Sequence, residues 1–176
     1  TFSGTGFIKN GSFVKEGSGT VTMNNDNTYT GGTFLRGGTV IVKTLASATQ
    51  PYGGLGGAVS SILKFKMENG AVLRGTSSAQ NASPINFIGD DGGVIIAEGT
   101  LTQQKQFYGT LLNKKGAGTM VMEQNNTSLQ KLIITAGTVS ALATPANSVE
   151  MQGGTLSLTS GSSCPITIAT GKTAAV

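Results

Sequence analysis

The sequence predicts an all-β chain wound as a right-handed parallel β-helix of about eight or nine coils, and three observations carry that prediction. The stretch from Lys15 to Val42 recurs from Lys114 to Ala141 at a constant offset of 99, without a gap. The two copies match at Lys15/Lys114, Gly17/Gly116, Gly19/Gly118, Thr20/Thr119, Met23/Met122, Asn27/Asn126, Thr28/Thr127, Gly38/Gly137 and Thr39/Thr138. Inside each copy a Gly-Thr-apolar triplet returns after 19 residues, at Gly19 and Gly38 and again at Gly118 and Gly137, which is the length of one solenoid coil. Further triplets begin at Gly32, Gly99, Gly109 and Gly154. In each, glycine permits a sharp corner, the β-branched threonine suits a strand, and the apolar residue turns inward.

Taken in order, Gly6 to Lys9 and Ser12 to Lys15 read as short strands, with turn signals at Ser3-Gly4 and Asn10-Gly11. The first repeat then predicts strands at Gly19 to Met23, Thr33 to Leu35 and Thr39 to Lys43. A polar tip at Asn24 to Asn27 and turns at Gly31-Gly32 and Gly37-Gly38 separate them. Leu45 to Gly57 has no periodicity and reads as a loop thrown out from the coil, and Thr76 to Ser83 reads as a second loop. Alternation predicts strands at Ile62 to Met67 and, past the Asn69-Gly70 turn, Ala71 to Arg74. Strands follow at Pro84 to Ile88, Gly93 to Ala97 and Gly99 to Thr102, then the second repeat from Phe107 to Leu142, then coil segments at Val149 to Leu158 and Ile166 to Val176. Stacking at about 4.8 Å would make a rod roughly 40 Å long. It would place Val21, Val40, Met120 and Val139 in one core column. A Greek-key sandwich is the competing arrangement, but it demands no 19-residue register.

Composition narrows the chemistry. The 176 residues suit one domain, 1–176, and include 27 glycines, no Trp and no His, with 11% charged residues against about 25% in ordinary domains. A net charge of +4 is spread along the chain, with only Lys114-Lys115 adjacent, so no nucleic-acid stripe is formed. No run approaches the roughly 18 apolar residues of a membrane span. Cys164 reads as a small core or rim residue at a strand start. The start at Thr1 and the strand-like end at Lys172 to Val176 predict a piece of a longer polypeptide, with further coils covering both ends.

The first copy, with Phe2-Ser3-Gly4-Thr5, Phe13 to Met23, Asn27 to Thr33 and Gly37 to Val40, resembles the passenger-associated repeat of bacterial autotransporters. That repeat runs K-x-G-x-G-T-L-x-L, then N-x-Y-x-G-x-T, then G-x-L. The second copy keeps Lys114 to Thr119 and Asn126-Thr127, but it has Ser128 at the Tyr29 position and Gln130-Lys131 in place of the double glycine. The resemblance covers about a third of the chain and implies a secreted passenger stalk at the bacterial cell surface, associated with an outer membrane. It further implies partners such as a host-cell surface, matrix or glycan reached through the loops. No nucleic acid and no membrane insertion by this segment are expected.

Asp90-Asp91 with Glu98, and Lys105 or Arg74 as base, are the candidates for a polysaccharide lyase or hydrolase, the alternative function. The glycines flanking Asp90-Asp91 favour a turn. Tyr29, Tyr52 and Tyr108 could stack on sugars. Asn24 to Asn27, mirrored at Gln124 to Asn126, could bind a cation or form an asparagine ladder or a solvated corner. Gly53 to Gly57 resembles a phosphate loop but lacks the Lys-Ser/Thr that follows one, and reads as a flexible loop. Without histidine no Ser/His/Asp triad, activated Cys164 or Cys/His metal site can form. The expectation is therefore an adhesive stalk without catalytic, cofactor or metal residues.

Overall fold

The computed structural model describes residues 7–161, 164–173 and 175. Coil one carries β1 (Ser12–Lys15) and β2 (Thr20–Met23), and coil two carries β3 (Gly32–Leu35) and β4 (Thr39–Val42). An insertion follows with β5 (Tyr52–Gly53) and β6 (Gly56–Gly57). Coil three holds β7 (Phe65–Glu68), β8 (Ala71–Gly75) and β9 (Ala79–Asn81); coil four holds β10 (Ile85–Ile88), β11 (Gly93–Ala97) and β12 (Thr100–Gln103). Above them run β13 (Phe107–Lys115) with β14 (Thr119–Met122), β15 (Leu129–Ile134) with β16 (Thr138–Ala141), β17 (Ser148–Met151) with β18 (Thr155–Leu158), and β19 (Ile166–Ile168).

Three walls result, and every pairing between coils is parallel, which excludes the sandwich. Wall one stacks β1, β3, β7, β10 and the start of β13. Wall two stacks eight strands, β2, β4, β8, β11, the end of β13, β15, β17 and β19, so the solenoid has about eight coils. Wall three runs β9, β12, β14, β16 and β18. The core is one cluster, with Leu73, Ile95, Phe87, Phe107, Leu112, Met120 and Val139 among its buried members. Each coil alone would leave these residues wet, and stacking removes them from water at about 25 cal/mol per Å2.

The register corrects the expected core column. Val21 pairs with Val40 on wall two, continuing to Leu73 and Ile95. Met120 pairs with Val139 on wall three. The two repeat copies therefore occupy different walls: Lys15 sits beside Leu35 on wall one, whereas Lys114 sits between Ile95 and Ile134 on wall two. Both copies keep the 19-residue rise, as Thr20 pairs with Thr39 and Thr119 with Thr138.

Other expectations shift as well. The strand expected from Ile62 begins only at Phe65, and Leu63 is exposed at a turn. Thr76 to Ser83 is part of the wall, since β9 pairs with β12. The strand expected at Gly6 to Lys9 begins outside the described residues, and Phe7 to Lys9 form none. The turn at Ser3-Gly4 and the resemblance at Phe2 to Thr5 also lie outside them. Cys164, half-buried, precedes β19 as expected of a strand start.

Candidate functional site

The corner after each repeat lysine is built on a buried ammonium. Lys15 Nζ donates to the carbonyls of Glu16 (2.7 Å), Gly17 (2.6 Å) and Gly37 (3.2 Å). Lys114, fully buried, donates to Lys115 (2.9 Å), Gly116 (2.9 Å), Gly118 (3.0 Å) and Ala136 (3.1 Å). The K-x-G-x-G spacing is thus a cage: the lysine reaches forward over its own turn and ties it to the next coil. Glycine is required where the coils touch. At Gly137 φ is +70°, and a Cβ there would collide with the carbonyl oxygens of Gly116 and Gly118. Burial pushes the Lys114 pKa down to about 8, while the carbonyls favour the charged form, so the ammonium predominates at neutral pH.

The repeat asparagines make a second corner device. Asn27 Oδ1 accepts from Ile8 N (2.8 Å), and its Nδ2 donates to Asn25 O (3.1 Å) and Gly54 O (2.8 Å). Asn126 Oδ1 accepts from Phe107 N (2.6 Å), and its Nδ2 donates to Gln124 O (2.7 Å). Both are buried brackets on backbone, so the polar tips at Asn24 to Asn27 and Gln124 to Asn126 form neither a ladder of stacked asparagines nor a solvated corner at these two positions. A buried amide ladder does occur elsewhere, where Asn81 Nδ2 donates to Gln103 Oε1 (2.7 Å).

The insertion after β4 folds inward rather than out, correcting the loop expected at Leu45 to Gly57. Leu45, Ala46 and all of Gly53 to Gly57 are buried, so the glycine run is packed backbone and not a flexible loop. Tyr29 explains this. Its ring is buried, its hydroxyl meets Thr33 Oγ1 at 3.0 Å, and Gly57 N donates to its carbonyl at 2.9 Å. Burial raises the Tyr29 pKa, with the Thr33 bond pulling the other way. A Cβ at Gly56 would strike the Tyr29 ring, so close approach sets the glycine.

The structure brings the two expected loops together around a groove of about 380 Å3. Thr44, Leu45, Ser47, Thr49 and Gln50 form one side, and Ser78, Ala79 and Gln80 with Thr100 and Thr102 form the other. The insertion is strapped in place: Asp26 accepts from Thr44 Oγ1 (2.6 Å) and Gln50 Nε2 (3.2 Å), and Gln104 Oε1 accepts from Ala48 N (3.3 Å). The lining is hydroxyl, amide and methyl, without a charged group. Such walls offer hydrogen-bond donors and acceptors to a ligand.

The candidate catalytic residues are not brought together. Asp90 and Asp91 are exposed in the turn before β11, and Glu98 lies beyond its far end, about 17 Å of strand away. Arg74 is ion-paired with Glu98. Lys105 lies with Tyr108 and Gln106 at a separate shallow hollow of about 300 Å3. Of the tyrosines, Tyr29 is core, and Tyr52 and Tyr108 lie apart, Tyr52 at the insertion surface and Tyr108 in that hollow. Among the described residues no three His, Cys, Asp or Glu side chains group as metal ligands would, and no helix is long and apolar enough to cross a membrane.

With three walls, a lysine-caged corner and a folded insertion in view, comparison with known proteins identifies the unit. Residues 13–42 and 112–141 match the passenger-associated-transport-repeat. The chain is a parallel β-solenoid that carries two of these repeats and is similar over them to autotransporter passengers. It is 34% identical over 119 residues to the adhesin BmaC autotransporter of Brucella suis biovar 1 (strain 1330). That alignment covers 65% of this chain and 4% of the much longer relative. No solved structure matches the chain.

Proposed function

We propose that this chain is a non-catalytic, adhesive stalk segment of a secreted protein displayed at a bacterial cell surface, making contact through the groove between the insertion and wall three. The observation that carries the reading is the groove itself. The insertion departs from the solenoid rhythm and builds a concavity with uncharged, hydrogen-bonding walls, and it is strapped in place. The likeness to a protein described as an adhesin supports the same class of activity. The stacked coils supply reach, because each adds about 4.8 Å of rod.

The test places charge on the groove walls of the intact surface protein. Gln80→Lys with Thr102→Lys alters outward side chains and leaves the core unchanged. Cells displaying this variant should adhere to host cells or matrix at least about tenfold less well, since an uncharged partner surface would have to desolvate two ammonium groups. Unchanged adherence would remove the groove from the contact surface.

A further inference from the structure

We propose that the groove takes an extended, uncharged peptide segment of a partner protein, which pairs with the backbone of Gln80 as a short added strand. This rests on the adhesive reading and supplies its partner chemistry.

The wall-three sheet ends at β9. On one side Asn81 O accepts from Gln104 N (2.9 Å), and on the other Ala82 N donates to Ala46 O (2.8 Å). Backbone direction alternates along a strand, so the N–H and C=O of Gln80 face the same way as those of Ala82, toward coil two. No backbone bond reaches Gln80 from that side among the described residues. The gap has a geometric cause. Thr76 N donates to Val42 O (3.1 Å) and Ala82 N to Ala46 O, so Val42 to Ala46 must run beside the longer stretch from Thr76 to Ala82. The shorter stretch cannot follow the longer one, and the edge between them is left open.

An added strand satisfies that edge with a donor and an acceptor at once, which is the chemistry of β-augmentation. The lining favours a peptide over other ligands. It has no charge to hold an ion and no aromatic ring on which a sugar could stack. Its hydroxyls and amides, from Thr49, Gln50 and Thr102 among others, can bond small polar side chains flanking the added strand. The volume lies within the range of about 300–1,000 Å3 that accommodates small ligands. Because Asp26 and Gln104 hold the insertion in place, the opening exists before the partner arrives, which lowers the cost of binding.

The experiment presents the purified chain to an array of short uncharged peptides of Ser, Thr, Val, Gly and Asn, together with the same peptides N-methylated on alternate backbone positions and an array of neutral glycans. Peptides should be captured, and one of the two N-methyl frames should bind at least about tenfold more weakly while the other binds as the parent does. Gln80→Pro, which removes the donor at an edge position where proline is tolerated, should weaken capture about tenfold. Gln80→Ala, which keeps the backbone donor, should weaken capture less than Gln80→Pro does. Equal binding of both N-methyl frames, full binding by a folded Gln80→Pro chain, or capture of glycans instead of peptides would overturn the proposal. If Gln80→Pro melts the chain, the N-methyl comparison on the unaltered protein decides alone. The two readings fail separately: loss of adherence on charging the groove, with indifferent N-methyl frames, overturns the peptide and keeps the adhesive surface. Adherence unaffected by charging the groove overturns the adhesive reading itself.

Discussion

The two repeat copies differ most where their sequences differ least obviously, at Tyr29 and its counterpart Ser128. Each copy has the buried lysine, the glycine corner, the bracketing asparagine and the 19-residue rise. Yet the first spans walls one and two, the second spans walls two and three, and only the first carries an insertion. The repeat therefore specifies corners, not positions around the solenoid. A corner is closed by contacts within about two coils, so the same sequence can be placed on any wall whose neighbours supply backbone acceptors. What the first copy adds is a large buried ring at Tyr29, which gives the inserted glycines a surface to fold against.

Making the first copy resemble the second should have the largest effect. Tyr29→Ser deletes a fully buried ring and its bond to Thr33, and should cost about 3–5 kcal/mol in denaturant unfolding while exposing Leu45 to Gly57 to protease. Full stability with an uncut insertion would mean that the insertion folds independently of the repeat.

Next in size is the lysine cage. Lys114→Met strands four carbonyls and should destabilise by about 3 kcal/mol, with Lys15→Met, on three carbonyls and at a less buried site, costing roughly 1 kcal/mol less. Equal or absent effects in urea midpoints would show that glycine alone closes the corner. The brackets should reverse that order. Asn27→Ala leaves three backbone partners unpaired and Asn126→Ala two, so the first should lose about 2 kcal/mol and the second about 1.

A further effect is on pH dependence. The Lys114 pKa in the fold, about 8, lies below its usual 10.5, so between those values the unfolded chain holds more protons and stability should rise with pH. Tyr29 acts oppositely. Its pKa is raised from the usual 10, so above pH 10 the unfolded tyrosine ionises first and stability falls. Melting temperature should thus climb from pH 8 toward pH 10 and then decline, with the climb missing in Lys114→Met and the decline reduced in Tyr29→Phe. A flat profile in the unaltered chain would mean that the carbonyl cage offsets the cost of burial.

Much of this was legible in residues. The Gly-Thr-apolar triplets mark strand starts such as Thr20, Thr39, Thr119, Thr138 and Thr155, because glycine turns and β-branched residues act locally. The groove was half legible. Loss of periodicity pointed to Leu45 to Gly57 and a polar tract to Thr76 to Ser83, but nothing in either stretch revealed that they meet. The buried role of Lys114 was hidden for a different reason: a lysine reads as solvated until its carbonyl partners, 22 residues apart in the case of Ala136, are placed around it. The recurrence of K-x-G-x-G was the available signal.

By itself the sequence determined the coil length, the corner chemistry and the all-β parallel class, since each depends on spacing and on backbone preferences carried by single residues. Only the tertiary structure decided which wall each repeat occupies, that the insertion folds inward on Tyr29, and that β9 is left with an open edge. Those outcomes depend on the summed lengths of successive coils, 19 residues from Thr20 to Thr39 but 33 from Thr39 to Val72, and on which backbone groups are left without a neighbour when unequal coils stack.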